Sequence, residues 1–249
     1  MRILGIIPAR YASSRFPGKP LVMIQGKSMI QRVYEQALKC NELAKVIIAT
    51  DNEVIQKHVL SFNGNVMMTS VDHTSGTERC GEVIEISNKI FEELFDAVIN
   101  IQGDEPFIDP EQIAKVATCF SNPEVEIATL IGKISNSFEL NDPNVVKVVF
   151  DKQLKAIYFS RFPIPYFRGK EKEQWLQSRN FYKHIGIYGY RTDILKKIIQ
   201  LPPSPLEKAE SLEQLRWLEN GYTIRLRETD IETIAIDVPA DLLKITNRS

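Results

Sequence analysis

The groups most able to do chemistry in this chain gather where apolar runs end. Ile3-Leu4-Gly5-Ile6-Ile7 breaks at Pro8 into Ala-Arg-Tyr-Ala-Ser-Ser-Arg-Phe-Pro-Gly-Lys-Pro, so Arg10, Ser13, Arg15 and Lys19 follow directly on a strand-like segment. A short continuous apolar run bounded by turn residues reads as a buried strand of a parallel sheet, and such sheets bind ligands beyond the carboxyl ends of their strands. The loop cations therefore stand where an anion would bind, with Pro17-Gly18 fixing the turn. The spacing is not that of a P-loop, because Gly18-Lys19 is followed by Pro20 rather than Ser or Thr. Nor is it the dinucleotide fingerprint, since Gly5 and Gly18 are too far apart to make that turn. What remains is a polyphosphate cradle of another design.

Two carboxylates occupy comparable places. Asp104 follows the apolar run Ala97-Val98-Ile99-Asn100-Ile101, and Asp237 follows Thr233-Ile234-Ala235-Ile236. Taken singly, Asp104 suits an Asp-Glu-Pro turn and Asp237 a helix N-cap equally well. Together, beside a polyphosphate loop, they favour a metal site. Mg²⁺ takes one or two carboxylates plus phosphate oxygens and water, whereas Zn²⁺ calls for His and Cys at closer spacing.

The elements that must position these groups alternate. Ser28 with Gln31 has capping-box spacing ahead of a helical stripe through Met29, Val33, Ala37 and Leu38 that ends near Cys40. A strand over Val46–Thr50 ends at Asp51, the expected N-cap of a helix through Leu60. Asn63-Gly64 turns the chain into Val66–Thr69, and the polar loop 72–79 opens a helix of four to five turns. This βαβ rhythm implies right-handed crossovers and a mainly parallel α/β sheet flanked by helices. After residue 140, Val145–Phe150 and Leu154–Phe159 read as a hairpin, followed by a polar, aromatic-flanked loop or dimer arm through Arg179. A strand over His184–Arg191, helices near Asp193–Gln200 and Leu206–Asn220, and strands over Thr223–Arg227 and Thr233–Ile236 complete the chain. No linker or repeat divides it, so one domain over 1–249 is expected, with an insert around 145–182.

At 249 residues, with 31 basic against 32 acidic side chains, the chain lacks the global charge of a nucleic-acid binder, so anion binding must be local. Cys40, Cys80 and Cys119 are widely spaced, odd in number and without His at ligand spacing, which reads as free buried thiols in a reducing compartment. Neither a signal-peptide pattern nor a stretch approaching membrane-spanning length occurs, so a soluble cytoplasmic protein without membrane insertion is expected.

The segments Ile7–Leu21, Asp72-His-Thr-Ser-Gly-Thr-Glu-Arg79, Gln102-Gly-Asp-Glu-Pro106, Tyr158-Phe-Ser-Arg161, His184-Ile-Gly-Ile-Tyr-Gly-Tyr-Arg191, Ser204-Pro-Leu-Glu207 and Leu212-Glu-Gln-Leu-Arg216 closely resemble the 3-deoxy-manno-octulosonate cytidylyltransferases (CMP-Kdo synthetases). The resemblance runs in order from Ile3 to Leu242. The first segment is shared with many sugar nucleotidyltransferases, CMP-sialate synthetases included; the Thr-Glu-Arg, Tyr-Phe-Ser-Arg and His184–Arg191 segments are far more specific. Where the family commonly has Asp-Thr-Pro-Glu-Asp, this chain has Asp237-Val-Pro-Ala-Asp241, which keeps the first Asp. The stretch Pro165–Asn180 follows no family pattern.

The resemblance implies a Rossmann-like nucleotidyltransferase sheet with helices on both faces and a hairpin insert that makes a homodimer. It implies CMP transfer from CTP to the anomeric hydroxyl of 3-deoxy-D-manno-octulosonate (Kdo), with release of pyrophosphate, for lipopolysaccharide biosynthesis. Arg10, Ser13, Arg15 and Lys19 map to the triphosphate, Arg15 and Lys19 facing the departing charge. Asp104 and Asp237 map to Mg²⁺, and Ser75 and Gln102 to the nucleotide. For the sugar, Arg79 and Arg161 are the candidate carboxylate forks, while Gln102, His184, Glu213 and Gln214 would meet hydroxyls. Without the resemblance, His184 reads as a structural hydrogen-bonder, Glu213-Gln214 as a solvated helix face, and Tyr188 and Tyr190 as core or interface. An 8-amino-Kdo or sialate preference would alter only the sugar contacts.

Overall fold

A strand buried on both faces shows no alternation, and β1 (Ile3–Ala9) is of this kind: Ile3, Leu4, Ile6, Ile7 and Ala9 are all buried. The computed structural model describes residues 1–12, 16–90, 94–232, 235–236 and 238–242. Their contacts cluster into two units, Met1–Thr118 with Thr233–Ser249, and Cys119–Glu232.

In the first unit β1 is followed by a two-stranded ribbon, β2 (Met23–Ile24) and β3 (Lys27–Ser28). Then come α1 (Met29–Ala37), β4 (Lys45–Thr50), α2 (Glu53–Ser61), β5 (Val66–Met68), α3 (Gly76–Ile90), β6 (Ala97–Asn100) and α4 (Pro110–Cys119). Ser28 Oγ accepts from Gln31 N and caps α1, but the Gln31 amide turns to Glu35 rather than back to the cap, so only half of the capping box forms. Met29, Ile30, Val33, Tyr34 and Ala37 make the buried face of α1. The expected Asp51 cap of α2 is replaced by Asn52, whose Oδ1 accepts from Val54 N and Ile55 N. Asp51 is instead paired with Arg79.

The parallel strands run in the order β5-β4-β1-β6. The chain steps outward from β1 to β4 and β5, then α3 carries it back to β1's other edge. Right-handed crossovers therefore place α1 and α2 on one face and α3 on the other. The direction of winding reverses between β1 and β6, and in open α/β sheets ligands bind at such a switch point.

The second unit is mixed: β7 (Ile127–Lys133), α5 (Ser137–Asn141), β8 (Lys147–Phe150), β9 (Ala156–Ser160), α6 (Trp175–Ser178), β10 (Tyr182–Arg191), α7 (Thr192–Ile198), α8 (Pro205–Glu210), α9 (Gln214–Glu219) and β11 (Ile224–Glu228). β7 pairs parallel with β11 and antiparallel with β10, and β8 and β9 form the expected hairpin. The polar stretch after the hairpin is not all loop. Trp175 is buried on Ile134, Leu140 and Phe181, stacking on Phe181 at 5.9 Å, which takes it out of the surface expected for a dimer arm. The single helix expected over Leu206–Asn220 is two, broken at Ser211, which adopts a left-handed φ of 52°.

Of the final strand expected over Thr233–Ile236, Thr233 and Ile234 lie outside the described residues, and Ala235 and Ile236 are not in a strand. Ile236 packs with Ile24 and Met29 in the first unit. Cys40, Cys80 and Cys119 are buried and form no disulfide, and burial with the Glu42 bond pushes the Cys40 thiol up to about 11. Among the described residues no helix is long and apolar enough to cross a membrane.

Candidate functional site

At the switch point the ends of β1 and β6 bring Lys19 and Asp104 together. Gly18 N donates to Tyr11 O, closing the loop after β1, and Gly18 takes φ +70° to start the 3₁₀ turn Lys19–Leu21. Glycine alone adopts that backbone without strain. The Lys19 ammonium then donates to Asp104 Oδ2 at 2.8 Å, with side-chain exposures of 14% and 26%. Cation and carboxylate thus hold each other at the rim of the sheet.

Gly103 sets the approach of Asp104 to this point. A Cβ there would meet the Pro8 carbonyl oxygen at 2.8 Å, so only glycine lets the chain after β6 pass so close to the end of β1. From the other side Ile236 N donates to the Asp104 carbonyl at 2.9 Å, fixing the residue before Asp237 against Asp104. Asp237 itself lies outside the described residues, as do Ser13 and Arg15. Gln102, half-buried, lies two residues beyond the end of β6, and its carbonyl accepts from Glu105 N.

Next along the sheet edge the loop between β5 and α3 presents Ser75. Ser75 Oγ accepts from Glu78 N while Glu78 Oε2 accepts from Ser75 N and Thr74 N, a reciprocal cap on α3. Burial opposes the Glu78 charge, but the bonds from Thr74 and Ser75 outweigh it and hold the carboxyl below its ordinary range. Arg10, the residue after β1, donates from Nη2 to the His73 carbonyl. Burial and the neighbouring Arg79 lower its pKa, while Asp51 and Glu78 pull it back up.

Arg79 departs from its expected role. It is wholly buried, its Nη2 donating to Asp51 Oδ2 at 2.7 Å and its Nη1 to Thr69 Oγ1 while its Nε is buried without a partner, so two of its three nitrogens are engaged within the fold. It ties the end of β4 to the end of β5.

In the second unit Arg161 is likewise engaged. Its guanidinium donates to the carbonyls of Glu210 at 2.6 Å, Pro143 at 3.0 Å and Ser211 at 3.2 Å, and its backbone N–H reaches Glu210 Oε2. These bonds fasten the strand end to the turn around Ser211, which leads to Glu213 and Gln214. Glu213 is half-buried at the start of α9, and Gln214 is buried rather than on a solvated face. His184 Nε2 lies 2.9 Å from Thr129 Oγ1, with Phe159 edge-on at 5.3 Å and Tyr188 at 5.0 Å. Burial drives its imidazole down to about 3, which keeps it neutral near pH 7. The Tyr188 hydroxyl is buried without a hydrogen-bond partner, and burial followed by the nearby Glu213 carboxylate raises its pKa well above 10.0.

No role at the site was expected of Asp51, Thr69, His73, Glu78 or Glu82, which tie Arg10, Arg79 and the loop between β5 and α3 together. The Ser75-x-x-Glu78 spacing was a signal available for one of them.

A cytidylyltransferase family model matches residues 4–231. The chain is 54% identical to the 3-deoxy-manno-octulosonate cytidylyltransferase of Cytophaga hutchinsonii over 99% of this chain and 97% of that relative. It is 55% identical to the enzyme of the same name from Parabacteroides distasonis, over 98% and 96%. Among solved structures it is similar to a CMP:2-keto-3-deoxy-manno-octonic acid synthetase complexed with CTP, with a TM-score of 0.89, 42% identity, and coverage of 99% of this chain and 98% of that one. A likeness to 4-diphosphocytidyl-2C-methyl-D-erythritol synthase from Anaerococcus prevotii, at TM-score 0.62 and 13% identity, reflects the fold alone.

Proposed function

We infer the reaction from kinship: this chain belongs to the 3-deoxy-manno-octulosonate cytidylyltransferase family. It transfers CMP from CTP to Kdo and releases pyrophosphate. The observation that carries this reading at residue level is the Lys19–Asp104 pair at the switch point between β1 and β6.

The anomeric hydroxyl attacks the α-phosphorus in line, the bond to the pyrophosphate oxygen breaks, and negative charge grows on the leaving group while the hydroxyl proton passes to solvent water. No covalent enzyme intermediate is needed; fixed positive charge aimed at the developing negative charge is. Lys19 and Arg15 take that role, and Arg10, Ser13, Ser75 and Gln102 hold the nucleotide. Asp104, whose Oδ2 accepts from Lys19, is a carboxylate oxygen donor of the kind Mg²⁺ takes, and Asp237 is the second carboxylate that the resemblance supplies. Bound there, Mg²⁺ would lower the pKa of the attacking hydroxyl and neutralise phosphate charge. For the sugar hydroxyls the candidates are Gln102, His184, Glu213 and Gln214. Purified protein with CTP and Mg²⁺ should release pyrophosphate with Kdo and not with sialate; 8-amino-Kdo in a parallel reaction reports the tolerance at C8. Turnover of sialate in preference to Kdo refutes the assignment.

We further propose a homodimer located in the cytoplasm. Ile157, Phe162 and Tyr166, 61%, 63% and 72% exposed, leave an apolar surface on and after the hairpin, and a two-fold contact would bury it. Sedimentation of the wild type and of a Phe162→Asp, Tyr166→Asp double variant tests this; a monomeric wild type refutes it.

A further inference from the structure

We propose that Glu82, acting through His73, is a positioning residue that sets the Arg10 guanidinium for the CTP phosphates. The inference rests on the reading of Arg10 as a triphosphate ligand and extends it to a residue that touches no substrate.

Arg10 is steered by a carbonyl rather than a carboxylate: its Nη2 donates to His73 O. The position of that carbonyl depends on what holds residue 73, which lies in the irregular loop between β5 and α3. Glu82, on the second turn of α3, holds residue 73 by its ring and the loop's beginning by Ser70. One oxygen, Oε2, lies 2.5 Å from His73 Nε2 and accepts from Ser70 N at 2.8 Å. Neither bond serves α3, whose cap is completed by Ser75 and Glu78. The inner end of the loop is fixed separately, by Arg79 on Thr69. Glu82 therefore holds the His73 side of the peptide that carries the acceptor for Arg10, while Glu78 Oε2 holds its Thr74 side, accepting from Thr74 N at 2.6 Å.

The electrostatics around Arg10 make this restraint consequential. Arg79 repels its charge, and Asp51 and Glu78 attract it. A guanidinium released from the His73 carbonyl would be drawn to those carboxylates, away from the phosphates. Holding the neutral carbonyl in place keeps Arg10 oriented without neutralising it, so its charge stays available to the nucleotide.

The test is a double-mutant cycle in steady-state kinetics. Glu82→Ala should raise the KM for CTP about tenfold, the scale of one lost charge-assisted phosphate contact, with kcat and the KM for Kdo changed by less than about threefold. Glu82→Gln keeps an oxygen where both bonds converge and should restore CTP KM to within about threefold of wild type. In an Arg10→Ala background, itself raised in CTP KM, Glu82→Ala should add nothing, because the interaction it supports is already gone. Should Glu82→Ala fail to fold, His73→Asn severs the same tether from its other end and enters the same cycle. A raised CTP KM in Arg10→Ala with an unchanged one in the tether variant overturns the inference alone. So does full additivity in the cycle, which a merely structural role would give. An unchanged CTP KM in Arg10→Ala overturns both the inference and the reading beneath it.

Discussion

Replacing Gly103 by Ala adds one methyl group at the point where the chain leaving β6 crosses the end of β1. The new carbon would sit 2.8 Å from the Pro8 carbonyl oxygen, roughly 0.6 Å inside ordinary contact, and a backbone oxygen in a central strand cannot rotate away as a side-chain tip could. Part of the strain appears as lost stability, about 1–3 kcal/mol for an overpacked methyl. The rest is relieved by moving the looser partner, the 102–105 turn, which carries Asp104 away from Lys19. A displacement of ~1 Å at a reacting centre costs on the order of 10²-fold in rate, so a shift of about half that should lower kcat by roughly tenfold, with CTP affinity less affected. Urea unfolding and initial rates of pyrophosphate release measure the two effects on one preparation. A Gly103→Ala protein with wild-type stability and wild-type kcat would refute the claim that this close approach sets the carboxylate.

Asp104→Asn and Asp237→Asn should each remove most turnover while circular dichroism and unfolding stay near wild type, and added Mg²⁺ should not restore the rate; near-normal turnover in both sinks the two-carboxylate site. Lys19→Ala should lower kcat more than it raises the KM for CTP, since its ammonium meets charge that grows in the transition state; an effect confined to KM would make it a ground-state anchor. The His184 value of about 3 lies below the ordinary 6.5, so the unfolded chain binds the extra proton; this stability contribution is intact above about pH 6.5 and is lost toward pH 3, by up to about 1.4 kcal/mol per unit. His184→Gln, which cannot titrate, should show a shallower loss of urea resistance between pH 7 and 4.5, and an equal slope would refute the assignment.

What the sequence revealed and what it concealed divide by range. Lys19 and Asp104 were legible because each lies in the loop that follows an apolar run, and parallel-sheet topology delivers strand ends to one edge whatever lies between them. The α2 cap was not legible, because Asp51 and Asn52 are equally good caps locally, and the choice is made by Arg79 far along the chain. Arg79 itself looked like a ligand because an arginine's type says nothing about whether a carboxylate of the fold has already claimed it. Trp175 was hidden among Lys, Glu and Gln, where one aromatic gives no periodicity, and its partner Phe181 lies beyond its own short helix. The break at Ser211 carries no Gly or Pro; its left-handed backbone is sustained by the Arg161 bond to its carbonyl, a contact invisible to local pattern.

The first unit is discontinuous in sequence, closed by a segment that returns after Glu232. On the ribosome this imposes a schedule. Ile24, Met29 and Asp104 emerge early, but Ile236, which packs on the first two and bonds the third, is made only after the entire second unit. At translation speeds of about 5–20 residues per second, the nascent first unit waits on the order of ten seconds with that apolar niche open. Asp237 follows Ile236 by one residue, so the second candidate metal carboxylate is among the last parts of the site to be synthesised. An elongating chain therefore carries Lys19 and Asp104 well before it carries the second candidate carboxylate.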